Sequence, residues 1–195
     1  MRAKVCGITN YDDAMTAIDA GADALGFVFY PPSPRYIEPE RAAEIIHKLP
    51  PFVEKVGLFV NWDAPAVNDT CRLTGATLAQ IHFDPSPEFY EALTVPHLKV
   101  IRAKCAEDLD QHVDEYRLVD AFVEEYGGAG KRLPMEWFEN RDCSKMILAG
   151  GLTAEIVRSV RSYGFYGVDA SSALEQSRGI KEPALVRAFV AAAKS

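Results

Sequence analysis

Cysteine is scarce and scattered: Cys6, Cys71, Cys105 and Cys143 are the four present, with no Cys-x-x-Cys pair. That spacing fits reduced thiols in a cytoplasm better than a disulfide framework or a cysteine-based zinc site. Histidine also occurs four times, and no His/Cys/carboxylate cluster has metal-ligand spacing, so no metal is expected. Basic residues are in the minority, 21 Lys+Arg against 28 Asp+Glu, for a net charge of −7. A chain of that sign lacks the electrostatic footprint of a nucleic-acid or anionic-membrane partner. No apolar run approaches the ~20 residues of a membrane-spanning helix, and no basic start leads into an apolar stretch. The expectation is a soluble, cytoplasmic protein. No long linker or low-complexity segment interrupts the 195 residues, and that length predicts a single domain over 1–195.

What is present is an alternation. Short β-rich apolar runs predict strands over Ala3–Cys6, Ala24–Phe29, Lys55–Val60, Leu78–Phe83, Lys99–Ala103, Arg117–Phe122, Lys145–Leu148 and Gly167–Ala170. Amphipathic stretches between them predict helices over Tyr11–Ala20, Pro39–Lys48, Ala64–Leu73, Pro87–Leu93, Glu107–Glu115, Met135–Asn140, Thr153–Tyr163 and Glu182–Ala193. Asn10 and Thr153 suit N-caps, Asp12 and Asp13 suit a helix dipole, and Gly21 and Gly164 suit helix stops. Eight strand–helix units imply parallel strands with right-handed crossovers, either a closed (β/α)8 barrel or an open doubly wound sheet. An internal echo favours the barrel. Cys6-Gly7-Ile8-Thr9, a helix and then Gly21-Ala22-Asp23 share their punctuation with Gly150-Gly151-Leu152-Thr153, a helix and then Gly164-Phe165-Tyr166. An ancient duplication and a shared solution to one turn problem both account for it.

In a barrel the active site lies at the C-terminal ends of the strands. The residues there are Cys6, Arg35, Asn61, Gln80, His82, Arg102 or Lys104, Asp120, Gly150-Gly151, and Asp169 with Ser171-Ser172. Cys6 has two readings, a small buried hydrophobe or a nucleophile or base facing a pocket. Its position at a strand end moves the balance toward the second, with Gly7 turning the chain away to leave the sulfur open. Bare turns after the last two strands, Gly150-Gly151 and Ser171-Ser172, suit a phosphate through their backbone N–H groups. Asp120 stands near the end of an apolar strand, either as a structural salt-bridge partner or as a functional carboxylate. Arg35 sits on the stiff stretch Pro31-Pro32-Ser33-Pro34, which suits capture of a carboxylate or phosphate. The segment Gly127-Gly128-Ala129-Gly130-Lys131-Arg132 is not a P-loop, since that pattern needs glycine at Glu125 and Ser or Thr at Arg132. It reads as a mobile loop able to close over a ligand.

Several of these stretches together are similar to one family. Lys4-Val5-Cys6-Gly7-Ile8-Thr9, Gly26-Phe27-Val28-Phe29-Tyr30 with the Pro31 to Tyr36 loop, and Lys55-Val56-Gly57-Leu58-Phe59-Val60-Asn61 resemble phosphoribosylanthranilate isomerase. So do Gln80-Ile81-His82, Val119-Asp120-Ala121, the Gly127 to Lys131 loop, Ile147 to Thr153, and Val168-Asp169-Ala170-Ser171-Ser172. The resemblance implies a compact (β/α)8 TIM barrel of the ribulose-phosphate-binding type. It implies an Amadori rearrangement of N-(5-phospho-β-D-ribosyl)anthranilate in tryptophan biosynthesis. Cys6 would be the general base and Asp120 the general acid, with Cys6 poised near neutrality. Arg35 would hold the anthranilate carboxylate, and Gly150, Gly151, Ser171 and Ser172 the phosphate. Gln80, His82, Gly128 and Asp169 complete the expected substrate-binding set. No cofactor is needed, the partner is a phosphorylated aminosugar, and the chain would be a monomer or homodimer.

The chain departs from the family at Phe83 and Ala173, where glycine is usual, and across residues 127–137. These bear on loop and pocket wall. The alternatives are another phosphosugar barrel, such as indole-glycerol-phosphate synthase, or a catalytically silent phosphate-binding barrel. The first relies on catalytic lysines and a longer N-terminal extension. Loss of Cys6, Asp120 or Arg35 would mark the second, and all three are present.

Overall fold

In a computed structural model, which describes residues 1–121 and 132–195, eight parallel strands pair in chain order and close on themselves. They are β1 (Arg2–Cys6), β2 (Ala24–Val28), β3 (Glu54–Phe59), β4 (Leu78–Ile81), β5 (His97–Ala103), β6 (Arg117–Ala121), β7 (Met146–Leu148) and β8 (Gly167–Ala170). The ring closes where Lys4 pairs with Asp169 across β1 and β8. The outer helices are α1 (Tyr11–Asp19), α2 (Pro39–Ile46), α3 (Ala64–Thr74), α4 (Pro87–Glu91), α5 (Ala154–Ser159) and α6 (Pro183–Lys194). Asn10, Asp63 and Thr153 cap α1, α3 and α5 by accepting the backbone N–H three residues on. The closed ring settles the fold as the α/β (β/α)8 barrel. Among the described residues no helix is long and apolar enough to cross a membrane.

Side-chain alternation, with period two, divides the barrel interior into two levels. Leu78, Leu98, Val100, Leu118, Ile147 and Ala149 form an apolar floor. One step further along the same faces come Gln80, Arg102, Asp120 and, on β8, Asp169. The other strand faces bury Val5, Phe27, Phe59, Ile81, Val119 and Val168 against the helices.

Two expected helices are not α-helices. The stretch 107–115 forms only a 3-10 turn over Ala106–Asp110. Its acidic run offers two large apolar side chains, and Leu109 is buried while Val113 stays exposed. Arg117, itself 1% exposed, lies beneath and donates to the carbonyls of Leu109, Val113 and Glu115. Those carbonyls gain from a side chain the partners that a helix would supply. Met135–Phe138 is also 3-10. The expected helix to Tyr163 breaks after Ser159, whose hydroxyl competes for the carbonyl of Ile156. A hairpin absent from the expectations, β9 (Glu175–Ser177) and β10 (Ile180–Lys181), follows β8. It turns through Gly179 at φ +80°.

Candidate active site

Cys6 ends β1 with its sulfur pointing into the barrel, in phase with Lys4 two residues earlier. Glycine on the neighbouring strand makes room for both: a Cβ on Gly26 would lie 2.7 Å from Cys6 Sγ and 3.1 Å from Lys4 Nζ. Gly7 follows at φ +76°, and a Cβ there would meet Ser171 Oγ at 2.8 Å and Arg35 Cγ at 2.9 Å. Gly7 therefore does more than turn the chain. It lets the arginine of the second loop and the serine turn of the eighth close over the end of β1. The sulfur is enclosed rather than open, with Cys6 only 5% exposed.

That enclosure sets the electrostatics. Burial pushes the Cys6 thiol above its ordinary value; Lys4 and Lys181 pull it down, and Asp169 adds to the rise. The expected poise near neutrality is thus not met: the net shift is upward. Lys4 Nζ donates to Asp169 Oδ1 at 3.0 Å within the barrel. Burial opposes the Lys4 ammonium, but Asp169 and Cys6 outweigh it and raise its pKa. Asp120 is half-buried on β6, level with Arg102 on β5. Burial pushes its carboxyl up to about 6, with Asp169 adding and the Ala121 N–H, Arg102 and Lys4 opposing. The Ala121 N–H donates to Asp120 Oδ1 at 2.8 Å. His82 is pushed down to about 4 by burial and by Arg102 and Lys4, so its imidazole is neutral at pH 7. Gln80 is fully buried beneath it.

Arg35 forms a bidentate pair with Glu175, Nε to Oε1 at 3.0 Å and NH2 to Oε2 at 2.8 Å. Lys181 donates to the same carboxylate at 3.1 Å and to the Ser171 carbonyl at 3.2 Å. Burial works against the Glu175 carboxylate, yet Arg35 and Lys181 hold it below the usual range. The hairpin therefore orients both the arginine and the serine turn. Gly150 and Gly151 follow β7 at φ +95° and +60°. β7 pairs with β8 through Leu148 and Val168, which sets the glycine and serine turns side by side. Asp169 is committed to Lys4, Asn61 adopts φ +57° at the end of β3, and Gly128 lies outside the described residues.

Sequence reasoning missed Lys4, Glu175 and Lys181. Two signals could have found them. Lys4 shares the inward phase of Cys6, and a glycine inside a strand, Gly26, marks a close approach. The Arg178-Gly179 turn similarly announces the hairpin.

The model of the N-(5'-phosphoribosyl)anthranilate (PRA) isomerase family matches residues 3–192. The chain belongs to this family. It is 58% identical to the N-(5'-phosphoribosyl)anthranilate isomerase of a Nitratiruptor species, covering 100% of this chain and 99% of that one. Phosphoribosyl anthranilate isomerase from Thermotoga maritima, a protein described as dimeric, superposes with a TM-score of 0.91 at 34% identity, covering 100% and 98%. A phosphoribosyl anthranilate isomerase in complex with reduced 1-(o-carboxyphenylamino)-1-deoxyribulose 5-phosphate gives 0.84 at 33% identity, covering 100% and 98%.

Proposed function

We propose that this barrel isomerises N-(5-phospho-β-D-ribosyl)anthranilate to 1-(2-carboxyphenylamino)-1-deoxy-D-ribulose 5-phosphate, using Cys6 as base and Asp120 as acid. The isomerase function in tryptophan biosynthesis follows from the family and its relatives. The assignment of roles rests on one observation: a thiol and a carboxyl with raised pKa face one polar chamber and respond to the same two charges, Lys4 and Asp169. Protonated Asp120 gives its proton to the ribose ring oxygen as the C1–O bond breaks, and the nitrogen lone pair forms the protonated Schiff base. The Cys6 thiolate then takes the C2 proton, and the C–H electron pair moves to form the enolamine, neutralising nitrogen. Ketonisation returns a proton to C1 and releases the one on the C2 oxygen. Oxidation at C2 balances reduction at C1, so the rearrangement proceeds without an external redox partner.

At pH 7 the carboxyl near 6 and the raised thiol hold one proton between them. The productive arrangement places that proton on Asp120 and the charge on sulfur. The bare turns at Gly150-Gly151 and Ser171-Ser172 suit the phosphate, and Arg35, preset by Glu175, suits the anthranilate carboxylate. The reaction belongs in the cytoplasm, where the four free thiols persist. A homodimer is supported at the opposite end of the barrel. There Phe52 is fully exposed beside a basin of about 1230 Å³ lined by Arg2, Lys55, Tyr116 and Tyr166. An isologous contact uses such a knob and hollow twice.

The test is a fluorescence assay with phosphoribosylanthranilate made in situ. Cys6→Ala and Asp120→Asn should each lower kcat by roughly 10²–10⁴. Turnover close to wild type in either variant removes these roles.

A further inference from the structure

The proposed base poses a problem that the surrounding side chains answer. Cys6 must carry charge to accept a proton, yet it is enclosed, and burial alone favours the neutral thiol. The charges reaching it come from three strands: Lys4 on its own β1, Asp169 on β8 and Lys181 on β10. On β2 the facing residue is Gly26, where an added Cβ would lie within about 3 Å of both the sulfur and the Lys4 ammonium. Lys181 is committed to Glu175 and the Ser171 carbonyl. Lys4 donates to Asp169, and its charge acts on Cys6.

We propose that Lys4 is a positioning residue for the proton transfer, its ammonium clamped by Asp169 as the standing counter-charge of the Cys6 thiolate. The inference rests on Cys6 acting as base. Lys4 touches neither acid nor substrate in this role; it acts through the sulfur. Its position explains three features at once: a lysine buried inside a barrel, an aspartate devoted to holding it, and a glycine opposite the pair. A bridge serving only stability needs no thiol beside it, and burying two charges adds little stability by itself. Asp169 has two opposed effects. It keeps the ammonium in place, and its own negative charge disfavours the thiolate, so the two residues should move the sulfur in opposite directions.

The experiment labels the full-length protein with iodoacetamide at pH 8 and quantifies the Cys6 peptide against that of Cys105, an exposed thiol in the same chain. Alkylation requires the thiolate, so the ratio reads the charge on Cys6. Lys4→Gln keeps a donor for Asp169 but removes the charge. An opposite charge at this range moves a pKa by at least about one unit, so the ratio should fall about tenfold or more. Lys4→Arg should hold it within about twofold of wild type. Asp169→Asn, which keeps the Lys4 contact, should raise it, and this arm stands even where Lys4→Gln does not fold. In the isomerase assay Lys4→Gln should lower kcat, and raising the pH should not restore it, because added base strips the proton from Asp120 as fast as it charges the sulfur. A ratio unchanged in Lys4→Gln, or lowered in Asp169→Asn, overturns the proposal. The ratio reads sulfur and not turnover, so its failure is distinct from loss of the role of Cys6, which the Cys6→Ala assay decides.

Discussion

Replacing the proposed acid should make the folded protein more stable at neutral pH. Asp120 titrates near 6 in the native state against 3.8 for an ordinary aspartate, because burial disfavours its charge. A raised carboxyl binds its proton more tightly folded than unfolded, so its contribution is most favourable at low pH. That contribution is lost as pH rises through about 6. The gap of about two units, at 1.36 kcal/mol each, makes the ionised carboxylate cost about 3 kcal/mol at pH 7.5. Asp120→Asn removes the charge and keeps an oxygen to accept the Ala121 N–H. Urea unfolding at pH 7.5 should therefore show the variant more stable by up to about 3 kcal/mol. At pH 4.5 the native carboxyl is already protonated and most of the unfolded one is not. The advantage there should shrink to about 1 kcal/mol. A variant less stable than wild type at pH 7.5, or an advantage equal at both pH values, refutes the reasoning.

Arg35→Ala should act mainly on KM, since the anthranilate carboxylate keeps its charge through the reaction; steady-state kinetics in which only kcat moved would give Arg35 a different task. Phe52→Glu places a charge on the fully exposed knob beside the basin. Light scattering should report a dimer for the wild type and a monomer for the variant, and an equal mass for both would remove this face from the interface.

The barrel was legible because each strand run is punctuated by a glycine or an N-cap, as Gly7, Gly21 and Asn10 show around α1. Residues at strand ends were legible for the same reason, since Cys6, Asp120 and Asp169 are placed by local pattern. The fifth unit reads as a helix because propensity says nothing of Arg117, whose buried guanidinium satisfies the carbonyls there, and in the sixth Arg141 donates to the Trp137 carbonyl. Charge at Cys6 was misjudged because it depends on what lies opposite in space. Enclosure by Arg35 and Ser171 follows from contacts distant in sequence, which no local pattern announces. Glu175 and Lys181 escaped notice because a short hairpin, with three and two residues per strand, leaves almost no periodicity.

Two of the site's three buried ion pairs join the two ends of the chain, while the third, Lys181 with Glu175, is local. Lys4 finds Asp169 across 165 residues, and Arg35 finds Glu175 across 140. During synthesis, then, the first quarter of the polypeptide emerges carrying two cations whose partners do not yet exist. No half of the barrel can rehearse the chemistry, because the charge beside the thiol and the arginine near the phosphate turn are set only when the last strand and its hairpin arrive. Closing the ring and arming the site are the same event.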